Sequence, residues 1–370
     1  MARIIYASTQ NSDMLYALKI HVSDPVFLLD MGKKKQYVFL DQREIGVFQS
    51  HNNNPDIEAV LLDPILDQAK TYEEKTNNAN KLVWHLCKIY NLNSIEVPNN
   101  FPLDMADFLR SKKIEIKVQN PFYLDRTRKN KKEIEYVRQN VVNLCNAYEE
   151  IELILAESII EGDNLRYRGE ILTSEMLKRR VEHVLIDYDL IDIEGMIISS
   201  AEDAVVPHHR GSGPIKAHQP IICDIFPKSR KNGYFADMTR TYVKGRPSEA
   251  LEKMYQAVLK VQERAVKMVR PGISARSIHD FCAQSFLDMG YDVGAEGFVH
   301  GTGHGLGLDI HEGPFVNKHT EAILEVGNII TVEPGLYYSG IGGVRIEDDI
   351  VVTEDGYENL MQHHKRLIIK

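Results

Sequence analysis

Short apolar runs alternate with helical stretches through the first third of the chain. Strands are predicted where β-branched and aromatic residues cluster between turn residues, at 3–8, 25–30, 36–41, 94–98 and 114–118. Apolar residues at helical spacing predict helices within 63–90 and over 103–112. Met31, Gly32, Lys33 and Lys34 are predicted to join the second and third strands as a hairpin. These elements indicate a first α/β domain, which we place at residues 1–124.

Helices occur in pairs, followed by strands, in the rest of the chain. A long amphipathic helix is predicted over 131–156, after a boundary suggested by Asn120-Pro121 and the charged stretch 126–132. Further helices are predicted at 168–188, 248–269 and 275–289, the last with Ser274 as its N-cap. Strands are predicted in the intervals, at 195–200, 219–226, 233–242, 328–332 and 342–353. We therefore predict an α+β protein whose second domain covers residues 125–370.

Composition and charge exclude some classes of partner. Hydrophobic residues make up 43% and charged residues 26% of the chain, as in ordinary globular proteins. The net charge of −9 argues against nucleic acid, which usually requires a basic surface. The small basic cluster 128–132 is predicted to be a solvated helix start.

The cysteines and the hydropathy indicate the compartment. Cys87, Cys145, Cys223 and Cys282 are far apart and form no CxxC pair, so we expect reduced thiols. No apolar run approaches a membrane span, and no signal-peptide core is recognisable at the N-terminus. These features favour a cytoplasmic protein with no membrane partner.

The segment 299–314 is rich in both glycine and histidine. Glycines alternate at 301, 303, 305 and 307, and each costs a helix about 1 kcal/mol relative to Ala. His300 and His304 are therefore not expected to be the paired histidines of a zinc-protease helix. An extended glycine-rich segment instead allows close approach of other backbone or of a ligand. The alternative is a glycine loop with solvated histidines. Nucleotide binding is disfavoured, because the glycine spacing fits neither GxGxxG nor a P-loop.

Two similar hairpins carry acids inside apolar sequence. Asp224 and Asp237 stand on one predicted pair of strands, and Glu333 and Glu347 stand on another at a similar separation. An acid in an apolar strand is costly to bury unless it is paired or binds a metal. Four carboxylates would neutralise two divalent cations, and His304 adds an imidazole. Such a set suits Mn²⁺, Co²⁺, Fe²⁺ or Zn²⁺. The alternative is ordinary surface hairpins with solvated acids.

Five sequence blocks resemble those of the pita-bread metallopeptidases, which include methionine aminopeptidase, aminopeptidase P, prolidase and creatinase. The blocks are Cys223-Asp224-Ile225, Ala236-Asp237-Met238-Thr239-Arg240-Thr241, the segment 300–311, Thr331-Val332-Glu333-Pro334-Gly335 and Val344-Arg345-Ile346-Glu347-Asp348. The resemblance covers residues 126–370. The first third more loosely resembles the creatinase-type N-terminal domain of aminopeptidase P and prolidase. The implied fold is that domain followed by a pita-bread catalytic domain with a pseudo-twofold repeat.

The resemblance implies a set of metal ligands and two divalent ions. Manganese is the implied metal, with cobalt, zinc or iron as alternatives; no other cofactor is implied. The implied ligands are Asp224, Asp237, His304, Glu333 and Glu347, with Asp237 and Glu347 bridging the ions. This full set disfavours a creatinase-like reaction and also a pita-bread binding module without peptidase activity. Phe226 departs from the family, which commonly has glycine there.

The resemblance also implies catalytic residues and a substrate class. His208 matches a substrate-contacting histidine, and His300 and His311 match two further active-site histidines, of which His311 would stabilise the tetrahedral intermediate. Glu333 is the implied proton acceptor. Arg345 is available for a substrate carboxylate or for orienting Glu347.

The implied substrate is a peptide with proline at its second position, cleaved by an Xaa-Pro aminopeptidase or prolidase. Aminopeptidases of other specificity are an alternative, and the choice between dipeptides and longer peptides stays open. The resemblance further implies a homodimer.

Overall fold

The computed structural model describes residues 1–32 and 35–370. The chain divides into two compact units, Met1–Arg126 and Thr127–Lys370. The boundary between these units lies close to the one placed after residue 124 from sequence. Within the described part of the chain, no helix combines the length and the apolar character needed to cross a membrane.

The first unit is built on a six-stranded mixed sheet. Its strands follow the order β4-β3-β2-β1-β5-β6 across the sheet. Their bounds are β1 Ala2–Ala7, β2 Val26–Asp30, β3 Gln36–Leu40, β4 Ile57–Leu61, β5 Ser94–Pro98 and β6 Glu115–Gln119. The helices are α1 Ser12–Leu18, α2 Ile45–His51, α3 Leu62–Lys70, α4 Asn78–Ile89 and α5 Leu103–Ser111.

Side chains of successive strand residues enter different cores of this unit. Ile4 packs with the buried residues of α4 and α5, whereas Ile5 packs with those of α1 and α2. This is the period-two alternation expected of a strand that is buried on both faces. The five strands predicted from sequence are confirmed, and β2 pairs antiparallel with β3. Lys33 and Lys34 of the predicted hairpin turn lie outside the described residues.

The second unit contains four long helices and several sheets. The helices are α6 Lys131–Glu157, α7 Ser174–Asp187, α8 Glu249–Val266 and α9 Ala275–Asp288. Strands before α8 are β7 Ile159–Glu161, β8 Asn164–Tyr167, β9 Glu170–Ile171, β10 Leu190–Ile191, β11 Ile197–Ser200, β12 Ile221–Ile225, β13 Lys228–Ser229 and β14 Met238–Lys244. Strands after α9 are β15 Gly303–Gly305, β16 Glu312–Val316, β17 Ile329–Val332, β18 Gly335–Tyr338, β19 Gly342–Arg345, β20 Asp348–Thr353, β21 Gly356–Asn359 and β22 Ile368–Ile369.

Two sheets of this unit each contain one of the acid-bearing strand pairs. One sheet has the order β11-β12-β14-β22 and the other has the order β16-β15-β17-β20-β21. Antiparallel partners are β12 with β14 in the first and β17 with β20 in the second. The helix pair α8 and α9 shares a buried apolar core with β17 and β20. Each strand pair follows a pair of helices in sequence: α6 and α7 precede β12 and β14, and α8 and α9 precede β17 and β20. The predicted pseudo-twofold repeat requires this arrangement.

The long helix α6 begins where its sequence supplies a cap. The Asn130 side chain accepts hydrogen bonds from the N–H groups of Lys132 and Glu133, and Glu133 accepts from the Asn130 N–H in return. This capping box satisfies N–H groups that lack helical partners. The prediction of a solvated basic helix start is wrong for Lys129, which is 4% exposed and lies 2.5 Å from Glu312.

Several predicted boundaries in this unit are also wrong. The strand predicted at 342–353 breaks around Glu347, because β19 pairs with β18 whereas β20 pairs with β17. The helix predicted from residue 168 begins at Ser174, because the preceding residues form the β8–β9 hairpin. Ser274 precedes α9 as predicted, but its side chain makes no capping hydrogen bond.

Candidate active site

The residues singled out from sequence converge on one cavity of about 480 Å³ in the second unit. Its lining includes His208, Asp224, Asp237, His300, His304, His311, Glu333, Arg345 and Glu347. Most of the acids stand at strand ends: Asp237 precedes β14, Glu333 follows β17, and Glu347 lies between β19 and β20. Chain segments far apart in sequence therefore bring their polar side chains into one space.

Strand register explains why the acids meet. Asp224 lies opposite Thr239 in the pairing of β12 with β14. Val332 lies opposite Asp348 in the pairing of β17 with β20, so continuing that register by one step places Glu333 opposite Glu347. Cross-strand neighbours of this kind have closely spaced side chains. The similar spacing of the acids in the two hairpins thus reflects two strand pairs that open towards the same cavity.

His304 depends on the glycines beside it. A Cβ at position 303 would meet the carbonyl oxygen of Thr331, and one at position 305 would meet the carbonyl oxygen of Gly313. Only glycine permits such close approach of β15 to the neighbouring backbone. The short strand thereby holds His304 in a buried position among the acids.

The geometry around His304 leaves a ring nitrogen free to bind a cation. Its Nδ1 lies 3.2 Å from the Gly305 carbonyl oxygen, which assigns the ring proton to Nδ1. Burial and the neighbouring His311 lower the pKa of His304 to about 3, so the imidazole is neutral. Its Nε2 lies 3.7 Å from Asp237 Oδ2 and 3.6 Å from Glu333 Oε1. A lone pair therefore faces two carboxylates, an arrangement that a cation between them would stabilise.

Among the described residues, no Lys or Arg side chain forms an ion pair with Asp237, Glu333 or Glu347, whereas Arg345 pairs with Asp224. Burial, followed by the charge of Glu347, raises the pKa of Asp237 well above its ordinary value. Burial and the charge of Glu333 do the same for Glu347. Burial raises the pKa of Glu333 to about 8. Asp224 Oδ1 and Asp237 Oδ1 are buried without a hydrogen-bond partner among the described residues.

These observations test whether the residues fit a metal. One donor atom from each of Asp237, His304 and Glu347 lies within 4.8 Å of the other two. The set offers carboxylate oxygens and one neutral imidazole, which are ligands of divalent transition metals. Buried carboxylate oxygens without donors are costly unless a cation is present. The residues therefore fit a site for divalent ions.

Arg345 contacts Asp224 directly and Glu347 only indirectly. Its guanidinium lies 2.5 Å from Asp224 Oδ2 and 2.5 Å from the Tyr337 hydroxyl. Glu347 is held instead by the Thr239 hydroxyl, which donates to its Oε2 at 2.6 Å. Arg345 Nε also donates to the Thr239 hydroxyl, at 3.3 Å, so Arg345 is linked to Glu347 through Thr239 and its orienting role stays a prediction. At 2% exposure, Arg345 also presents little of itself to a substrate carboxylate.

The three cavity histidines other than His304 differ in which ring atoms are free to contact a ligand. His300 Nδ1 lies 2.7 Å from the Gly301 carbonyl oxygen, and its Nε2 lies 3.0 Å from the Tyr337 hydroxyl. Both ring nitrogens of His300 are thus engaged, and only its ring carbons remain for contact with a ligand. His208 and His311 are exposed at the cavity. The His311 ring packs edge-on against His304 at 4.3 Å, and partial burial lowers its pKa.

Sequence reasoning missed three residues that support the site. They are Thr239, which donates to Glu347; Tyr337, which joins His300 to Arg345; and Asp349, whose Oδ2 accepts from the Asp237 N–H at 3.0 Å. Thr239 could have been found, because it stands two residues after Asp237 and strand alternation places both on one face. Tyr337 lies on the unexpected β18 hairpin, so no sequence signal marked it.

Apolar side chains form another part of the cavity wall. Phe226, the residue that departs from the resembling family, is half-buried and lines the cavity with Ile197, Ile310 and Phe315. The cavity therefore combines a polar, acid-rich side with apolar groups suited to a hydrophobic substrate side chain.

Residues 158–354 match the sequence profile of metallopeptidase family M24. This span exceeds half of the chain and contains all five predicted ligands. The chain belongs to metallopeptidase family M24. Membership confirms the predicted pita-bread metallopeptidase family and the metal-dependent hydrolase class.

Individual relatives of this M24 chain carry proline-directed names. The Xaa-Pro dipeptidase of Pyrococcus furiosus is 32% identical over 241 residues, which are 65% of this chain and 64% of that protein. The Xaa-Pro dipeptidase of Pyrococcus horikoshii is 30% identical over 281 residues, 75% of each protein. The alignment to the first relative thus spans slightly less than two thirds of its length.

A solved structure confirms the predicted fold of the M24 chain. The Xaa-Pro dipeptidase from Bacillus anthracis superposes with a TM-score of 0.82, covering 100% of this chain and 95% of that one. Its sequence identity of 23% supports similarity of fold alone. The α+β prediction, with an N-terminal domain before a pita-bread domain, is therefore confirmed.

Proposed function

We propose that this M24 chain hydrolyses Xaa-Pro peptide bonds, at the N-terminus of peptides or in dipeptides, with two bound divalent ions. One observation carries the proposal: the neutral His304 nitrogen and the uncompensated carboxylates of Asp237 and Glu333 converge on one point of the cavity. The proline-directed names of the two Pyrococcus relatives support the substrate class.

Five side chains would hold the ions. They are Asp224, Asp237, His304, Glu333 and Glu347, with Asp237 and Glu347 shared between the two ions. Bound ions of this kind lower the pKa of water and polarise a carbonyl group. We propose manganese as the metal, with cobalt, zinc or iron as alternatives, because the ligand set is rich in oxygen.

Glu333 is the proposed proton carrier. Its carboxyl group lines the cavity, and its Oε1 lies 3.6 Å from His304 Nε2. Beside bound metal ions this group would be an ionised carboxylate, which can accept a proton from water and return it in a later step. We propose that Glu333 takes a proton from the attacking water and passes it to the departing amine nitrogen of proline.

The other three cavity histidines would each have a separate role in catalysis or in substrate binding. His311 is exposed beside His304, so its ring N–H can donate to the oxyanion of the tetrahedral intermediate. His208 has no engaged ring nitrogen among the described hydrogen bonds and can contact the substrate. His300, with both nitrogens engaged, would pack its ring against the proline. Arg345 acts through Asp224, as a positioning residue.

Proline selection has a physical basis in this arrangement. The bond before proline is a tertiary amide without an N–H, and the ring fixes φ near −65°. A peptidase that binds that N–H loses the contact, whereas a site with imidazole and apolar walls accepts the ring. The alternative of a binding module without peptidase activity is disfavoured, since all five ligand positions retain coordinating residue types.

The assembly and location belong to the same proposal. We propose a cytoplasmic homodimer: the four free cysteines are consistent with a reducing compartment, and the dimer rests on the family resemblance. Sedimentation at micromolar concentration should give a particle larger than the 42.2 kDa chain. A 42.2 kDa particle under those conditions would argue against the dimer.

Metal removal and replacement test the metal requirement. Chelation should abolish Xaa-Pro hydrolysis, and added Mn²⁺, Co²⁺ or Zn²⁺ should restore it. Glu347→Ala should cause the same loss and lower the bound metal, whereas the exposed Glu354→Ala should change neither. Full activity of protein shown to be metal-free by elemental analysis would contradict the proposal.

The same preparation can decide the preferred substrate length. Rates on an Xaa-Pro dipeptide and on Xaa-Pro-containing tripeptides, measured with each metal, separate a dipeptidase from an aminopeptidase. Activity on both classes would indicate a cavity that is open beyond the proline.

A further inference from the structure

A second cluster of metal-ligand side chains lies where the end of the chain contacts α6. Glu152 on α6 meets two consecutive histidines, His363 and His364, and none of the three lines the active-site cavity. His363 Nε2 lies 2.7 Å from Glu152 Oε1, and His364 Nε2 lies 2.9 Å from Glu152 Oε2. We propose that these three side chains bind one zinc ion, which fastens the C-terminal segment to α6.

The donor set fits zinc. Two imidazole nitrogens and one carboxylate are a ligand combination that zinc uses with a fourth position open to water. One donor atom from each residue lies within 4.8 Å of the other two, so a small adjustment accommodates an ion. Both histidines present the same nitrogen, Nε2, to the same carboxylate.

Surrounding groups hold the ligands in place. Arg240 donates to the carbonyl oxygens of His363, at 3.0 Å, and His364, at 3.1 Å. The two imidazole rings stack with 4.7 Å between their centroids. Supporting contacts of this kind orient metal ligands before the ion arrives. The positive charge of Arg240 is already paired, because Asp348 Oδ1 lies 2.9 Å away.

The carboxylate is ionised and the cluster is open to solvent on one side. Burial raises the pKa of Glu152, but hydrogen bonds from His363 and Tyr242 outweigh it and leave that pKa below its ordinary value. The side chains of His363, His364 and Glu152 are 6%, 34% and 18% exposed. An ion can therefore enter, and water can complete its coordination.

Zinc binding changes the proton positions in a defined way. In the metal-free cluster Nε2 carries the proton that points at Glu152. On binding, a neutral imidazole moves this proton to Nδ1, and an imidazolium releases one proton to solvent. His364 Nδ1 is buried and has no hydrogen-bond partner among the described residues. A missing partner of this kind lowers metal affinity by about 10- to 100-fold, so we expect weaker binding than at a site where every ligand is supported.

Zinc stoichiometry tests this site separately from peptidase activity. Equilibrium dialysis with zinc, followed by elemental analysis, should show about one equivalent less in His364→Gln than in wild type. The control His183→Gln, which changes an exposed histidine of α7, should match wild type. Equal zinc content in wild type and His364→Gln would overturn the proposal.

A measurement on the wild-type protein tests the site even if the His364→Gln variant fails to fold. Crystals grown with zinc should show anomalous scattering at the zinc edge, about 2.1 Å from both Nε2 atoms. A crystal grown with zinc that shows no such peak at this cluster would equally overturn the proposal. Neither result depends on whether the active-site cavity hydrolyses Xaa-Pro bonds.

Discussion

Arg345 and Asp224 form a buried ion pair in the cavity wall, with 2.5 Å between Nη2 and Oδ2. The other oxygen of this carboxylate, Oδ1, is buried and has no hydrogen-bond partner among the described residues. The pair thus fixes the orientation of Asp224 and leaves one oxygen available. A proposed metal ligand is therefore held in place by a permanent cation of the protein.

Removing the guanidinium should destabilise the metal-free protein more than the metal-loaded protein. Arg345→Met leaves the Asp224 carboxylate buried without its partner, which typically costs about 3–5 kcal/mol. Bound ions would supply an alternative cation and reduce this cost. Urea unfolding of chelated and metal-loaded samples measures the difference, and an equal loss in both would contradict the proposed ligand role.

The double variant Arg345→Met/Asp224→Asn is the control for that measurement. If the cost comes from the stranded carboxylate, neutralising Asp224 should recover most of the stability lost by the metal-free single variant. A double variant no more stable than Arg345→Met would assign the loss to packing.

The stability of the metal-free protein should fall as pH rises from 6.5 to 8. The folded-state pKa of Glu333, about 8, lies above its ordinary value, so the native state holds a proton that the unfolded state has already released, and the free energy of unfolding falls with rising pH until the native state releases it too. The pKa values of His300 and His304 are lowered to about 3, so these two residues make the free energy of unfolding rise between pH 3 and 6.5. Above pH 6.5 they cause no further change. Glu333 contributes a decline of about 1–2 kcal/mol, and the raised pKa values of Asp237 and Glu347 act in the same direction.

Chemical unfolding at several pH values tests this linkage. The decline should be smaller in Glu333→Gln, which has no proton to lose, and in metal-loaded protein, where the carboxylates are already ionised. A metal-free protein whose stability rises across the same interval would contradict the proposed crowding of carboxylates.

Gly303 should not tolerate a side chain. In Gly303→Ala the new Cβ meets the Thr331 carbonyl oxygen, so β15 must shift away from β17 and move His304. Overpacking of this kind costs about 1–3 kcal/mol. The matched control is Gly301→Ala, whose Cβ has its nearest neighbours at 3.4 Å. Urea unfolding should separate the two variants, and an equal effect would show that the close approach is unimportant.

The sequence predicted which residues meet in the cavity better than it predicted the elements that hold them. The acid Asp224 was recognisable because it interrupts an apolar run, and that run is the buried strand β12. In contrast, 342–353 looked like one strand, because strand alternation continues in sequence through Glu347. The strand is interrupted because its two halves, β19 and β20, pair with different strands, β18 and β17. Which strands pair depends on the tertiary fold and is not visible in the local sequence.

Long-range contacts also supply partners that the sequence does not show. Arg345 stands two positions from Glu347, yet its direct ion-pair partner is Asp224. Lys129 belongs to a charged stretch, but Glu312, distant in sequence, forms a buried ion pair with it. Spacing along the chain cannot show such partners.

Loss of the His311 imidazole should impair catalysis without emptying the site. His311→Ala removes the donor proposed for the oxyanion, which typically lowers kcat by about a hundredfold or more. Metal content should stay normal, because His311 is not a proposed ligand. Steady-state kinetics with elemental analysis makes the comparison, with His183→Ala as the control. Loss of metal in His311→Ala would instead indicate a ligand role.

The most direct test of the central claim is kcat/KM on matched Xaa-Pro and Xaa-Ala substrates with the metal-loaded protein. The account predicts a preference for proline of at least about tenfold, which corresponds to roughly 1.4 kcal/mol of transition-state discrimination. Equal values on the two substrates, or preferential removal of N-terminal methionine, would contradict proline specificity even if the metal site is as proposed.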